Sequence, residues 1–208
     1  MKRRYLVALL CGAAFILEGQ PPQAGPSREI AFELVGEVLN PTATQSIQYG
    51  YLNAVNGIDR ITSQPGPVSE ANALFTFYND TTTQQVINNG PMRIIDRTGN
   101  STIYLDTAGN NNFANQDNFR KGTAVHVATL RHQVVIDTSS GYFTATFENT
   151  ITDSKSFQID GKTYYLGRPG QINRITVFGH LTTQGPPAAN IAGLASGCLV
   201  NVVPDQGE

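Results

Sequence analysis

The chain has little of what recognisable catalytic and cofactor sites are built from. Its 208 residues include two cysteines and three histidines, and no Cys/His cluster has the spacing of zinc ligands. There is no Gly-rich phosphate loop, no Gly-x-Ser-x-Gly and no His-Glu-x-x-His, so the motif-bearing enzyme classes are excluded and no cofactor is expected. Charge is sparse at 14% of residues, and no basic run is present to follow a phosphate backbone, which argues against nucleic acid as a partner. The longest apolar run, Tyr5 to Leu17, is 13 residues, short of the roughly 20 needed to span a bilayer as a helix.

What that run does resemble is a secretory signal. Lys2, Arg3 and Arg4 precede it, and Glu18, Gly19 and the Pro-rich QPPQAGP end it, the layout of a basic n-region and a short h-region. Residues 1–24 are therefore expected to be a signal peptide and linker, with cleavage between Glu18 and Gly25, and the protein to be secreted. Loss of residues 1–18 removes three of 14 basic and one of 16 acidic residues, leaving 11 against 15, a net charge near −4. It also removes Cys11, so Cys198 has no internal disulfide partner and stability must come from a packed core.

The rest of the chain reads as strands. Short runs of alternating apolar and polar residues recur between Gly, Asn, Asp and Pro, the pattern of a β-rich domain. Ile30, Phe32 and Leu34 share one face of the first run. Ile47, Tyr49, Tyr51, Asn53 and Val55 share a face of the second, and Ala71, Ala73, Phe75 and Phe77 of the third. Three further strands are expected at 85–88, 91–97 and 101–106, divided by turns at Asn89-Gly90 and Thr98-Gly99-Asn100. Residues 107–122 lack periodicity and form a long loop. A long hairpin over 122–152, a short one turning on Asp160-Gly161, and a strand over QINRITVFGHLTT complete a domain spanning 25–184. Residues 185–208 form a small apolar tail, either a short helix or a closing strand. The expected fold is a single antiparallel β-barrel of eight to ten strands, with a β-sandwich as the alternative.

Centring the long hairpin on Ser139-Ser140 makes partner numbers sum to 279. His132 then faces Phe147, Leu130 faces Asn149 and Arg131 faces Glu148, giving one apolar and one polar face with a cross-strand ion pair on the polar side. His126 and His132 lie six positions apart, about 20 Å along a strand at ~3.3 Å per residue, so they cannot share a metal. His180 has no acidic or thiol companion, and no metal site is expected.

Two segments, FELVGEV (32–38) and GNSTIYLD (99–106), resemble the allene oxide cyclase and dirigent barrels. The resemblance covers about 15 residues and implies a small antiparallel barrel that steers cyclisation or coupling of reactive small molecules without a cofactor. The Gly-Gly-Thr-Gly-x-Phe segment of those families is missing, so no catalytic residue is carried over from them.

The function expected from the residues is a cofactor-free barrel binding a mainly apolar small molecule. His132 and Asn149 are its candidate polar or catalytic groups, and Tyr49, Tyr51, Phe75, Phe77, Leu130 and Phe147 its ligand-contacting walls. A cyclase or isomerase using the same pocket, with His132 as acid or base, is the first alternative. An extracellular interaction or carbohydrate-binding domain is the second. Asn79 and Asn100 begin glycan acceptor sequons at positions that read as turns.

Overall fold

The computed structural model describes residues 30–202 apart from residue 198. The signal segment, its cleavage region and both cysteines lie outside the described residues. The strands are β1 (Ile30–Leu39), β2 (Gln45–Val55), β3 (Phe75–Asn89), β4 (Met92–Leu105), β5 (Thr123–Asp137), β6 (Tyr142–Ser154), β7 (Phe157–Ile159), β8 (Lys162–Leu166), β9 (Ile172–Leu181), β10 (Ala189–Ser196) and β11 (Val200–Val202). Eight of them close a barrel in the order β1-β10-β9-β6-β5-β4-β3-β2, every pair antiparallel. Closure removes the unpaired edges that a sandwich would leave.

The barrel runs past the expected boundary at residue 184. β10 sits between β1 and β9 and is the strand that closes the ring, because its small residues alternate so that Ala189, Ile191, Gly193 and Ala195 point inward. A second correction concerns β4. Thr98-Gly99-Asn100 is not a turn but the middle of one continuous strand that pairs with β3 from Phe75↔Leu105 to Asn89↔Met92. Glycine suits the middle of this strand because a Cβ at residue 99 would stand 1.9 Å from the Asp80 carbonyl oxygen of β3, and both neighbouring strands supply ladder bonds.

The β5–β6 register follows the sum of 279 from Ala128↔Ile151 to Ile136↔Phe143, then shifts at a bulge between Val127 and Ala128 so that His126 faces Ser154. Glu148 does lie opposite Arg131, but its carboxylate accepts from Arg174 Nη2 at 2.7 Å, across the β6–β9 pair. The acidic group stands between two arginines and bonds the one on its other side.

One end of the barrel is plugged by the small sheet β11-β8-β7. Phe157, Ile159, Tyr164 and Leu166 enter the same core as the inward faces of the barrel, with Phe75 edge-on to Phe157 at 5.5 Å between ring centres. Ser154 Oγ donates to the Leu166 carbonyl, which also contacts His126 Nδ1 at 2.9 Å. The opposite end carries the β1–β2, β3–β4, β5–β6 and β9–β10 connections.

Midway up the barrel, Gly36 of β1 pairs with Gly50 of β2, and the Phe77 ring lies over them. A Cβ on Gly36 would stand 2.2 Å from the Tyr49 carbonyl oxygen, so any side chain there forces the two strands apart. Gly36→Ala is expected to cost about 3 kcal/mol, the upper range for overpacking; urea unfolding checks this.

Candidate functional site

Below the turn-bearing end the barrel holds a cavity of about 220 Å³. Its walls are inward-facing residues of β5, β6, β9 and β10, among them Val134, Ile136, Ala145, Val177 and Ile191, with Phe143 and Phe147 as the aromatic groups. Phe143 takes the position it does because Gly179 stands opposite it: a Cβ at residue 179 would fall 2.1 Å from the Phe143 ring.

Three polar side chains face this apolar surface. Arg97 of β4, His132 of β5 and Phe147 of β6 lie in one row across three adjacent strands, Arg97↔His132↔Phe147. His132 is 3% exposed and meets the Phe147 ring edge-on at 4.6 Å. Its Nδ1 has no partner among the described residues. Burial, and secondarily the charge of Arg97, lower its pKa from the ordinary 6.5 to about 3. His132 is therefore a neutral imidazole at physiological pH, a hydrogen-bonding group rather than a proton donor.

Arg97 Nε donates to Thr83 Oγ1 at 3.2 Å. Burial lowers the guanidinium pKa as well, and among the described residues no ion pair to a carboxylate offsets its charge. The third group is Gln48 of β2, 1% exposed, whose Nε2 donates to Ser46 Oγ at 2.9 Å while Oε1 is left without a partner. Asn40 and Arg93, both exposed, stand at the rim.

The remaining expected site residues lie elsewhere. Asn149 is buried inside the barrel but below the cavity, donating from Nδ2 to Asn173 Oδ1 at 3.0 Å beside a void of about 10 Å³. Phe147 separates it from His132 by one inward position. Leu130 is core packing at the level of its ladder partner Asn149, Phe77 lines the small void, and Phe75 belongs to the plugged end. Of the expected walls, only Phe147 borders the cavity.

Tyr49 and Tyr51 are on the outside. β2 is covered on both faces, so the alternation that should have marked its inward side marks the outward one. Ser46, Gln48, Gly50 and Leu52 point in, while residues 107–122 fold over Ile47 and Tyr49. Asp106 anchors that loop by accepting from Ala108 N, Gly109 N and Asn111 Nδ2. Phe119 and Phe113 then pack against Tyr49 in tilted contacts, with ring centres at 5.3 and 5.9 Å. The Tyr49 hydroxyl donates to Glu37 Oε2 at 2.7 Å, and burial together with that carboxylate raises its pKa. The long loop is thus a packed cover for β2, away from the cavity.

Both sequons lie in mid-strand, not in turns. Asn79 points inward at 2% exposure, and Thr81 is buried with its hydroxyl bonded to the Ser46 carbonyl, so a glycan at Asn79 is incompatible with the closed barrel. Asn100 faces out from the middle of β4. The three histidines occupy three environments: His126 at the plug, His132 in the cavity, and His180 on the outer surface against Tyr142 at 4.5 Å.

The outer surface also carries an open apolar depression of about 740 Å³ beside Val135, Tyr142 and Phe178. Elsewhere the outward positions include the polar Thr129, Arg131, Gln133, Glu148 and Arg174 and the apolar Ile94, Ile172 and Leu194. No described helix is long and apolar enough to cross a membrane.

Fold and cavity together define a closed antiparallel barrel, plugged at one end, with an apolar chamber at the other. No family model, curated protein or solved structure matches the chain.

Proposed function

We propose that this protein is an exported barrel that binds one mainly apolar small molecule in the chamber beside His132. The observation that carries the reading is the chamber itself: about 220 Å³ walled mainly by aliphatic and aromatic side chains, with His132 and Gln48, each holding one unpaired polar atom, among the residues that line it. Ligand sites have this make-up, apolar walls for affinity and sparse polar groups for orientation. A packed core of the same size would fill the space, since voids in interiors cost stability.

The volume corresponds to about seven waters at ~30 Å³ each, which suits a short aliphatic chain or a single ring system. A neutral His132 orients such a molecule through a hydrogen bond without moving a proton, which supports binding over acid catalysis as its role.

The test is a titration of the purified protein with 1-octanol and with naphthalene, followed by methyl NMR. Saturable shifts are expected at Val134, Ile136, Val177 and Ile191, and Ala145→Phe, which fills the chamber, should abolish them while the barrel stays folded. Absence of any saturable shift in the wild-type protein refutes the reading.

A further inference from the structure

We propose that the ligand is an anionic amphiphile, and that its carboxylate is held by the Arg97 guanidinium and the His132 imidazole while its apolar part fills the chamber. The inference rests on the small-molecule reading above and adds the chemical class of the ligand.

The argument begins with an uncompensated charge. A guanidinium stays protonated at any physiological pH, even where burial lowers its pKa. Arg97 is half-buried, borders the cavity, and spends Nε on the neutral hydroxyl of Thr83. None of the residues lining the cavity is acidic, whereas Arg93 adds a second positive charge at the rim. Interiors seldom leave an arginine in this state, because a buried charge is costly unless an opposite one meets it. Here Arg97 borders a cavity to which no residue of the lining brings a negative charge.

The neighbouring groups narrow the class. His132 is placed directly across the β4–β5 ladder from Arg97, is almost fully buried, and has Nδ1 free. In the Nδ1–H tautomer that nitrogen is a donor. A carboxylate is acceptor-only, offers two oxygens, and matches the guanidinium fork. One full positive charge and one neutral donor suit a singly charged head, and the walls beyond them are apolar. The Gln48 amide, with its second end unpaired, is the next polar contact along the wall.

The test compares eight-carbon probes that differ only at the head: octanoate, 1-octanol, methyl octanoate, octylammonium and octyl sulfate, each titrated at pH 7.5 by calorimetry. Octanoate is expected to bind at least tenfold more tightly than 1-octanol or the ester, and octylammonium not at all. Arg97→Gln should remove the octanoate preference, bringing octanoate affinity down to that of 1-octanol in the same variant. Arg97→Lys, which keeps the charge without the fork, should retain part of the preference, and His132→Gln should lower octanoate affinity severalfold. Equal binding of octanoate and 1-octanol by the wild-type protein overturns the inference while leaving the chamber as a ligand site. Tighter binding of octyl sulfate overturns the carboxylate assignment. Binding of none of the probes overturns the small-molecule reading itself. The head-group comparison on wild-type protein decides the matter even where an Arg97 variant fails to fold.

Discussion

Taking the protein from pH 7 to pH 5 should lower its unfolding free energy by about 2 kcal/mol through His132 alone. The sign follows from which state holds the proton. His132 has a folded pKa of about 3 against 6.5 when exposed, so between those values the unfolded chain binds a proton that the folded barrel refuses. Stability is fully present above pH 6.5 and drains away at up to ~1.4 kcal/mol per unit as pH falls toward 3. His126, buried at the plug, has its pKa lowered by the same desolvation and adds to the loss in the same direction.

Asp137 stays out of this window: its carboxyl is pulled to about 2 by hydrogen bonds from the Ser139 side chain and backbone and from Ser140, so it contributes only at lower pH. Urea unfolding of wild type and His132→Gln at half-unit intervals from pH 7 to 5 measures the effect. The variant should lose the His132 share of the slope and keep that of His126. Identical slopes for the two proteins would show that His132 takes no part.

How much of this could be read before the structure depended on which strands have one wet face. The β5–β6 hairpin has one, and there the alternation located His132 opposite Phe147 correctly; the register failed only at the Val127 bulge, which no periodicity announces. β2 has none. Its outer side is roofed by Phe113 and Phe119, so Tyr49 reads as an inward aromatic although it faces out, and Gln48, which points in, gives no sign of it. Buried polar residues on the inward face, Ser46 and Gln48, and apolar ones on the roofed outward face, Ile47 and Tyr49, reverse the period-2 signal.

The same limit hid Arg97. Reading Thr98-Gly99-Asn100 as a turn cut β4 in two and broke the chain of pairings that places Arg97 beside His132. A sequence signal did exist: with β4 taken as one strand, partner numbers in β4–β5 sum to 229 from Met92 to Ile103, and Arg97 falls opposite His132. Asn149 was placed inside the barrel correctly but credited to the wrong level, because strand alternation gives the face and not the depth at which a cavity lies.

That depth is set by Phe147, and its removal should have the largest effect of any single change in the chamber. The ring is 1% exposed, lies beside His132 and one inward position from Asn149, and meets the imidazole edge-on. Phe147→Ala is expected to cost about 3–5 kcal/mol, the range for a buried aromatic truncated to leave a void. The void is not an isolated one. It joins the chamber to the small space around Asn149, whose Oδ1 is unpaired, and so deepens the site. If Phe147 is the floor, the wild-type chamber of about 220 Å³ should favour 1-octanol over 1-decanol, the variant should reverse that order, and Phe147→Leu should show an intermediate stability loss without the reversal. The two large effects are also coupled. The ring is part of what desolvates His132, so opening the space beneath it should return the imidazole pKa toward 6.5 and flatten the loss of stability between pH 7 and 5. A Phe147→Ala barrel that is weakened yet keeps the full wild-type pH slope would mean that His132 is shielded by other neighbours, and that the floor of the chamber lies elsewhere.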